Sequence, residues 1–363
     1  MAISLSVTLV GLLASLAAGA ATGALAGEEH PAIATWRCTS AGGCVQQNTS
    51  IVLDRDSKLA VGTAGSRSAA DYAAMGVTTS GNALTLHHYV NGQSASPRVY
   101  LLDSSTNKYV LMNLQNNQEL SVDVDLSSLP CGENGAFYLS EMAADGSGGT
   151  GGAGAGAAGG YGYCDAQCQG FCCNEMDILE ANSQATAMTP HPCKGSNCDK
   201  GGCGYNPYAS GQRNFWGPGK TVDTGKVFTV VTQFVASGGR LTSITRKYIQ
   251  GGRQIDGGGT ISSCGSEGGT GGLPGMGEAL GRGSKSFISP LFDIEILLLT
   301  QVVVLAMSIW NDGAQQMSWL DQGNNGPCAA GQGTPSNIQS QHPDTHVVFS
   351  NIRWGDIGTT TKQ

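Results

Sequence analysis

A chain of 363 residues with 19 lysines and arginines against 27 acidic residues carries a formal net charge of −8. It lacks the basic surface that a nucleic acid or an anionic membrane selects. Fifty-five glycines and a charged fraction of 13% point to a loop-rich β protein suited to a neutral polymer partner such as a sugar chain.

The first elements concern export. Residues 1–26 are small and apolar, with a hydrophobic stretch from Leu5 to Leu16 and Ala24-Leu25-Ala26 as a cleavage site, although the usual basic start is missing. This predicts a secretory signal peptide over residues 1–26 and a secreted, extracellular chain with one domain over 27–363. Twelve cysteines, an even number, predict complete disulfide pairing. No CxxC spacing is present, so no metal site is expected. Asn48-Thr49-Ser50 is an N-glycosylation sequon that places Asn48 on an exposed loop.

Strand-like runs then dominate: Ala83 to Val90, Arg98 to Leu102, Lys108 to Leu114, Glu119 to Leu126 and Ala136 to Met142. Further runs are Val227 to Val235, Leu241 to Ile249, Val302 to Trp310 and Thr345 to Trp354. Their alternation and regular turn signals predict an all-β sandwich or barrel, with no sustained helical periodicity beyond the leader. Gly146 to Gly160 reads as a flexible surface loop. Its Gly154-x-Gly156-x-x-Gly159 pattern formally matches a dinucleotide fingerprint, but no strand leads into it and no helix leaves it. Leu291 to Met307 is apolar but interrupted by Asp293, Glu295 and Gln301. A charge at a bilayer centre costs about 2.5–3.5 kcal/mol, so this reads as a strand preceded by an unusual apolar segment rather than a membrane span.

The chemistry concentrates in Cys172 to Asn182, where Glu175, Asp177 and Glu180 lie within six residues of a strand-like stretch. On a regular strand Glu175 and Asp177 share a face and Glu180 has the wrong parity. A bulge near Ile178 to Leu179 would bring all three together. Glycoside hydrolysis uses such a cluster: two carboxyl groups about 5–5.5 Å apart give a covalent intermediate and retention of configuration. From the pattern alone, an acidic solvent face paired to basic residues is an equal alternative.

At these residues the sequence resembles the family-seven glycoside hydrolases, the cellulase family of endoglucanases and cellobiohydrolases. The shared signature stands here as Glu175-Met176-Asp177-Ile178-Leu179-Glu180-Ala181-Asn182 after Cys172-Cys173, followed by Thr189-Pro190-His191-Pro192-Cys193. Leu129 to Gly135, Tyr163 to Cys168, Ser308 to Asp312 and Phe349 to Asp356 extend the resemblance over most of residues 30–360. It implies a concanavalin-like β-jelly roll of two antiparallel sheets with a long substrate cleft. It also implies Glu175 as nucleophile, Asp177 as assisting carboxylate and Glu180 as acid/base. His191 matches the motif histidine, with a structural loop histidine as its alternative. Tyr138, Tyr163, Asp165 and Gln167 match residues lining the glycone side, and Trp319 matches a sugar-stacking platform. The implied disulfides are Cys38–Cys44, Cys131–Cys328, Cys164–Cys173, Cys168–Cys172, Cys193–Cys198 and Cys203–Cys264.

Three departures stand out. Only three residues separate Cys168 from Cys172, the chain passes quickly from Asp54 to Asp71, and Ser284 to about Gln301 is an insertion that matches nothing in the family. The loops Cys198 to Cys203 and Leu320 to Cys328 are short, and Leu179 replaces a tryptophan usual in tunnel-forming relatives. The expected protein is therefore a monomeric, cofactor-free endo-β-1,4-glucanase acting on a β-glucan polysaccharide. A cellobiohydrolase and a non-catalytic lectin-like protein are the alternatives.

Overall fold

The computed structural model describes residues 27–59, 61–148, 156–169, 171–265, 269–281 and 302–362. The leader and the Ser284 to Gln301 insertion lie outside the described residues. Among the described residues, ten strands form one sheet and eight form another. The larger runs Gly43–Gln47, Thr35–Thr39, His346–Asp356, Gln118–Asp125, Phe228–Ser237, Arg240–Gln250 and Arg253–Ile255. Ala83–His87 also pairs with His346–Asp356. The smaller runs Thr186–His191, Glu175–Ala181, Glu133–Met142, Val302–Asn311, Arg98–Asp103 and Thr49–Leu53, with two short strands attached. Pairing in both sheets is antiparallel except where Thr35–Thr39 runs parallel to His346–Asp356. This is the all-β jelly roll that the strand pattern and the resemblance imply.

Period-2 alternation explains the core. In Gln118–Asp125, Leu120, Val122 and Val124 point inward, and in Glu133–Met142, Phe137 and Leu139 do so from the facing sheet. Phe137 meets Phe349 across the interface with ring centroids 5.3 Å apart. Each such large apolar side chain contributes roughly 1.5–3 kcal/mol when removed from water.

The other face of the eight-stranded sheet is also covered in part. Val52, Tyr100, Leu102, Ala136, Tyr138, Val304 and Ala306 pack there beneath Tyr163, Cys164 and Cys173. Burial on both sides explains why Val303 to Met307 reads as a continuous apolar run instead of alternating.

Two expectations need adjustment. The Gly146 to Gly160 stretch is not simply a surface loop. Part of it lies outside the described residues, but Gly156–Gly159 forms a single 3-10 turn with Ala157 buried. Arg55 N–H donates to the Gly160 carbonyl at 3.1 Å, and a Cβ on Gly160 would lie 2.0 Å from Leu53 O. Glycine at φ 74° is what lets this backbone lie against the strand. Short helices also occur. Ala69–Ala74 opens with a Ser68–Asp71 capping box, and Pro335–Gln341 opens on Thr334 with proline in its first turn. Gly272–Ala279 has no side-chain cap at all. These are too short for periodicity to reveal, although the first two carry readable capping residues.

Six disulfides join Cys38–Cys44, Cys131–Cys328, Cys164–Cys173, Cys168–Cys172, Cys193–Cys198 and Cys203–Cys264. No cysteine is free. Cysteine sulfurs cluster at Cys168, Cys172 and Cys198, and Asp321 lies beside Cys131 and Cys328, but every one of these sulfurs is oxidised and offers no thiolate to a metal. No helix among the described residues is long and apolar enough to cross a membrane. Asn48 is exposed between the strands Gly43–Gln47 and Thr49–Leu53.

Candidate active site

The Glu175–Ala181 strand does not pair regularly with its neighbours. Against Glu133–Met142, Phe137 stands opposite Leu179 but the next residue, Tyr138, stands opposite Asp177. Ile178 is therefore an extra residue on this strand. The opposite neighbour shows the same shift between Asp177, which faces Thr189, and Glu180, which faces Ala187. The bulge resets the alternation. Met176, Ile178, Leu179 and Ala181 all enter the core between the sheets. Glu175, Asp177 and Glu180 stand across from Ser140, Tyr138 and Ala136 on the other face.

Each carboxylate has a distinct neighbour. Glu175 Oε2 accepts a hydrogen bond from the Ala166 N–H at 3.0 Å. Asp177 Oδ2 lies 3.0 Å from His191 Nε2, while the Asp199 carbonyl holds His191 Nδ1 at 2.9 Å. Glu180 Oε1 accepts from Asn134 Nδ2 at 2.9 Å. Glu175 is 9% exposed and Asp177 5% exposed, so little water screens their mutual repulsion.

Proton affinities follow. Burial, then the charge of Asp177, push Glu175 up to about 8, against the opposing pull of His191. Burial and Asp177 also raise Glu180 well above the usual carboxylate range. At His191, burial opposes the charged ring, but the hydrogen bond and charge of Asp177 outweigh it and lift the imidazole to about 10. The cluster therefore holds an imidazolium and retains at least one carboxyl proton near neutrality. Both glutamates are shifted toward the protonated form, so one must release its proton before it can attack while the other keeps its own to give.

The other sequence-selected residues are placed unevenly. Tyr138 and Tyr163 are buried beside Glu175, their hydroxyls 3.3 Å apart. Asp165 is buried and caps the Gln169 N–H at 3.1 Å, close enough to act on Glu175 by charge. Gln167 is exposed and turns away to the Lys200 carbonyl at 2.8 Å. Trp319 stands half-buried on Trp310, ring centroids 6.3 Å apart, and Trp310 lies across from Asn134 on the carboxylate face. Asn134 was not singled out by the sequence reading, although it lies inside the Leu129 to Gly135 motif. A cavity of about 700 Å³ opens elsewhere, around Ser128, Gln184 and His346, and none of the three carboxylates lines it.

Comparison with known proteins places this arrangement. The family model described as "Glycosyl hydrolase family 7" matches residues 64–170, 169–265 and 295–361. The chain belongs to glycosyl hydrolase family 7. Within family 7 it is 47% identical to endoglucanase EG-1 of Hypocrea jecorina, over 96% of this chain and 82% of that protein. It is 43% identical to the probable endo-beta-1,4-glucanase celB of Aspergillus clavatus, with 92% of each chain covered. Among solved structures, an endoglucanase I complexed with cellobiose superposes with a TM-score of 0.78 at 38% identity, covering 93% of this chain and 99% of that one. A family 7 cellobiohydrolase from Daphnia pulex reaches a TM-score of 0.77 at 27% identity, covering 92% and 98%.

Proposed function

We propose that this protein is a secreted endo-β-1,4-glucanase that hydrolyses internal bonds of a β-glucan with retention of configuration, working as a monomer from a single catalytic domain over residues 27–363. The observation that carries this reading is the extra residue at Ile178, which turns a parity mismatch into three carboxylates on one face.

In this reading Glu175 attacks the anomeric carbon while Glu180 gives its proton to the departing glycosidic oxygen. Water then enters, Glu180 takes its proton, and the ester to Glu175 breaks. Two inversions at one carbon restore the β configuration. Asp177 and His191 form a charge pair whose imidazolium offsets the negative charge that Glu175 must carry before attack. The Ala166 N–H gives the nucleophile a fixed orientation. Tyr138 and Tyr163 wall the glycone side, and Trp319 offers an indole to the apolar face of a glucose ring. Gln167 joins the glycone side only by leaving Lys200. Asn48 is a glycosylation acceptor in the exported chain. The relatives named endoglucanase support internal cutting, as do the short loops at Cys198 to Cys203 and Leu320 to Cys328.

Proton NMR of the first product formed from a soluble cello-oligosaccharide tests the proposal. The β anomer is expected initially; an initial α anomer removes Glu175 as nucleophile.

A further inference from the structure

Asn134 has no solvent exposure, and both ends of its side-chain amide are engaged. Its Oδ1 accepts the Ala181 backbone N–H at 3.1 Å, and its Nδ2 donates to Glu180 Oε1 at 2.9 Å. The first contact fixes the second. Reversing the amide would set two donors against each other at Ala181 and two acceptors against each other at an ionised Glu180. The main chain of the bulged strand therefore dictates that a donor points at Glu180.

A primary amide nitrogen donates and does not accept. Glu180 Oε1 is thus occupied as an acceptor whether the side chain is ionised or protonated, and the transferable proton belongs on Oε2. The bond is also stronger to a carboxylate than to a carboxylic acid. The other groups acting on Glu180 are Asp177 and Glu175 on its own strand and His191 on Thr186–His191. From Glu133–Met142, Tyr138 stands opposite Asp177, and Asn134 is the residue whose side chain bonds Glu180. Of these, the two carboxylates favour the protonated form, whereas His191 and Asn134 favour the ionised one.

We propose that Asn134 is a positioning residue for the acid/base: it confines the proton of Glu180 to Oε2 and holds the side chain ready to ionise for the second half of the reaction. This rests on the assignment of Glu180 made above. In the first step the Oε2 proton passes to the glycosidic oxygen as the bond from that oxygen to the anomeric carbon breaks and the bond to Glu175 forms. In the second step a water proton returns to Oε2 as hydroxide displaces Glu175. An acid with too high a proton affinity would complete the first step and stall the second.

The test is a pair of pH profiles for Asn134→Ala and Asn134→Asp. For cleavage of a soluble cello-oligosaccharide, the alkaline limb of kcat/KM reports loss of the acid. For 2,4-dinitrophenyl β-cellobioside, whose departure needs no acid, the acidic limb of kcat reports loss of the base. Removing the donor should move both limbs to higher pH by about one unit, slowing the second step about tenfold on the acid side. Asn134→Asp keeps the acceptor for Ala181 and the side-chain volume, so it reads the same effect if Asn134→Ala does not fold. Its added negative charge should shift the limbs further. A uniform loss of rate with both limbs in place would overturn the proposal, because a purely structural role lowers activity without moving a titration. Azide rescue of Glu180→Gln separates the two assignments. Rescue to a β-glycosyl azide with unmoved limbs in the Asn134 variants overturns the role of Asn134 alone, whereas absence of rescue overturns the Glu180 assignment and this proposal with it.

Discussion

Two strands of this protein carry a run of acidic residues and a break in register, and only one of them gathers its carboxylates into a mutually acting cluster. Gln118–Asp125 presents Glu119, Asp123 and Asp125 away from the core, and its register shifts between Ser121 and Asp123. There the extra residue lies on the partner strand, where Ser350 and Arg353 face Asp123 and Ser121. The acidic strand keeps its alternation, and its carboxylates remain spread along one face. Neutral donors meet all three, Asp125 accepting from the Ser127 N–H at 2.9 Å. Glu119 accepts from Gln233 and from Thr360, and Asp123 accepts from Thr229 and Asn351, both at 2.6 Å. In Glu175–Ala181 the extra residue is on the acidic strand itself, and the carboxylates act on one another. Which strand owns the bulge decides whether acidic residues are dispersed or concentrated.

The largest expected difference between the two strands is in turnover. Glu175→Gln should lower kcat by about 10⁴-fold or more on every glycoside, because no covalent intermediate can form. Single-turnover assays with an aryl cellobioside check it, and a variant retaining full rate would reduce Glu175–Ala181 to the status of its counterpart.

Glu180→Gln should cost about 10²–10⁴-fold on glucan and less on the first step with an activated aryl leaving group. The glycosyl-enzyme should then accumulate, visible by mass spectrometry, and azide should release it as the β-glycosyl azide. An α-glycosyl azide would reverse the roles of the two glutamates.

Concentrated charge also has a cost in stability whose sign can be derived. The folded affinity of Glu175 stands near 8 against an ordinary 4.5, so above pH 4.5 the folded chain holds a proton that the unfolded chain releases. Its destabilisation grows up to about pH 8. His191 stands near 10 against 6.5, so its stabilising contribution is full below 6.5 and is lost as pH rises through 10. Stability therefore falls as pH rises, through Glu175 between 4.5 and about 8 and through His191 between 6.5 and about 10. Glu175→Gln should flatten that slope and raise Tm at pH 8 by roughly 2–4 °C. Thermal melts across pH check this, and an unchanged slope would show that the site is not under the strain of its own charge.

The smallest effect on turnover belongs to the dispersed strand. Asp123→Asn should leave kcat within about twofold and cost about 1 kcal/mol of stability, because its amide can still accept from Asn351 and donate to the Thr229 hydroxyl but loses the charge that strengthens both bonds. A large loss of activity would mean that Gln118–Asp125 communicates with the site and that the contrast between the strands is false.

Much of this was readable beforehand, for particular reasons. The long strands between Ala83 and Trp354 declare themselves because half-buried sheets demand alternation, and family signatures cover most of the chain, but Thr186–His191 beside the carboxylate strand carries no such signal. The strands Thr35–Thr39 and Gly43–Gln47 did not, because threonine, glycine and glutamine there carry no alternating contrast. The carboxylates are conspicuous as residue types, and parity arithmetic requires a bulge near Ile178 to Leu179, where the structure has it. Placing the extra residue at Ile178 depends on pairing with two neighbouring strands, which is long-range information. Asn134 was invisible as a partner of Glu180 for the same reason: 46 residues separate them, and asparagine has no pattern of its own. The packed turn at Gly156–Gly159 was hidden by composition, since glycine and alanine look the same in a free loop and against a strand.

The strand His346–Asp356 has a further meaning for how this molecule is made. It lies inside the larger sheet, between Thr35–Thr39 and Gln118–Asp125, yet it follows every other described strand in the chain. Thr35–Thr39 can pair at once with Gly43–Gln47, but its other edge must wait for a partner more than three hundred residues downstream. Until that partner leaves the ribosome, the larger sheet stands divided and the apolar faces that Phe349 and Ile352 will cover have no lid. Closing the larger sheet therefore rests on pairing between residues far apart in the chain, the kind of contact that forms slowly and leaves strand edges open until late.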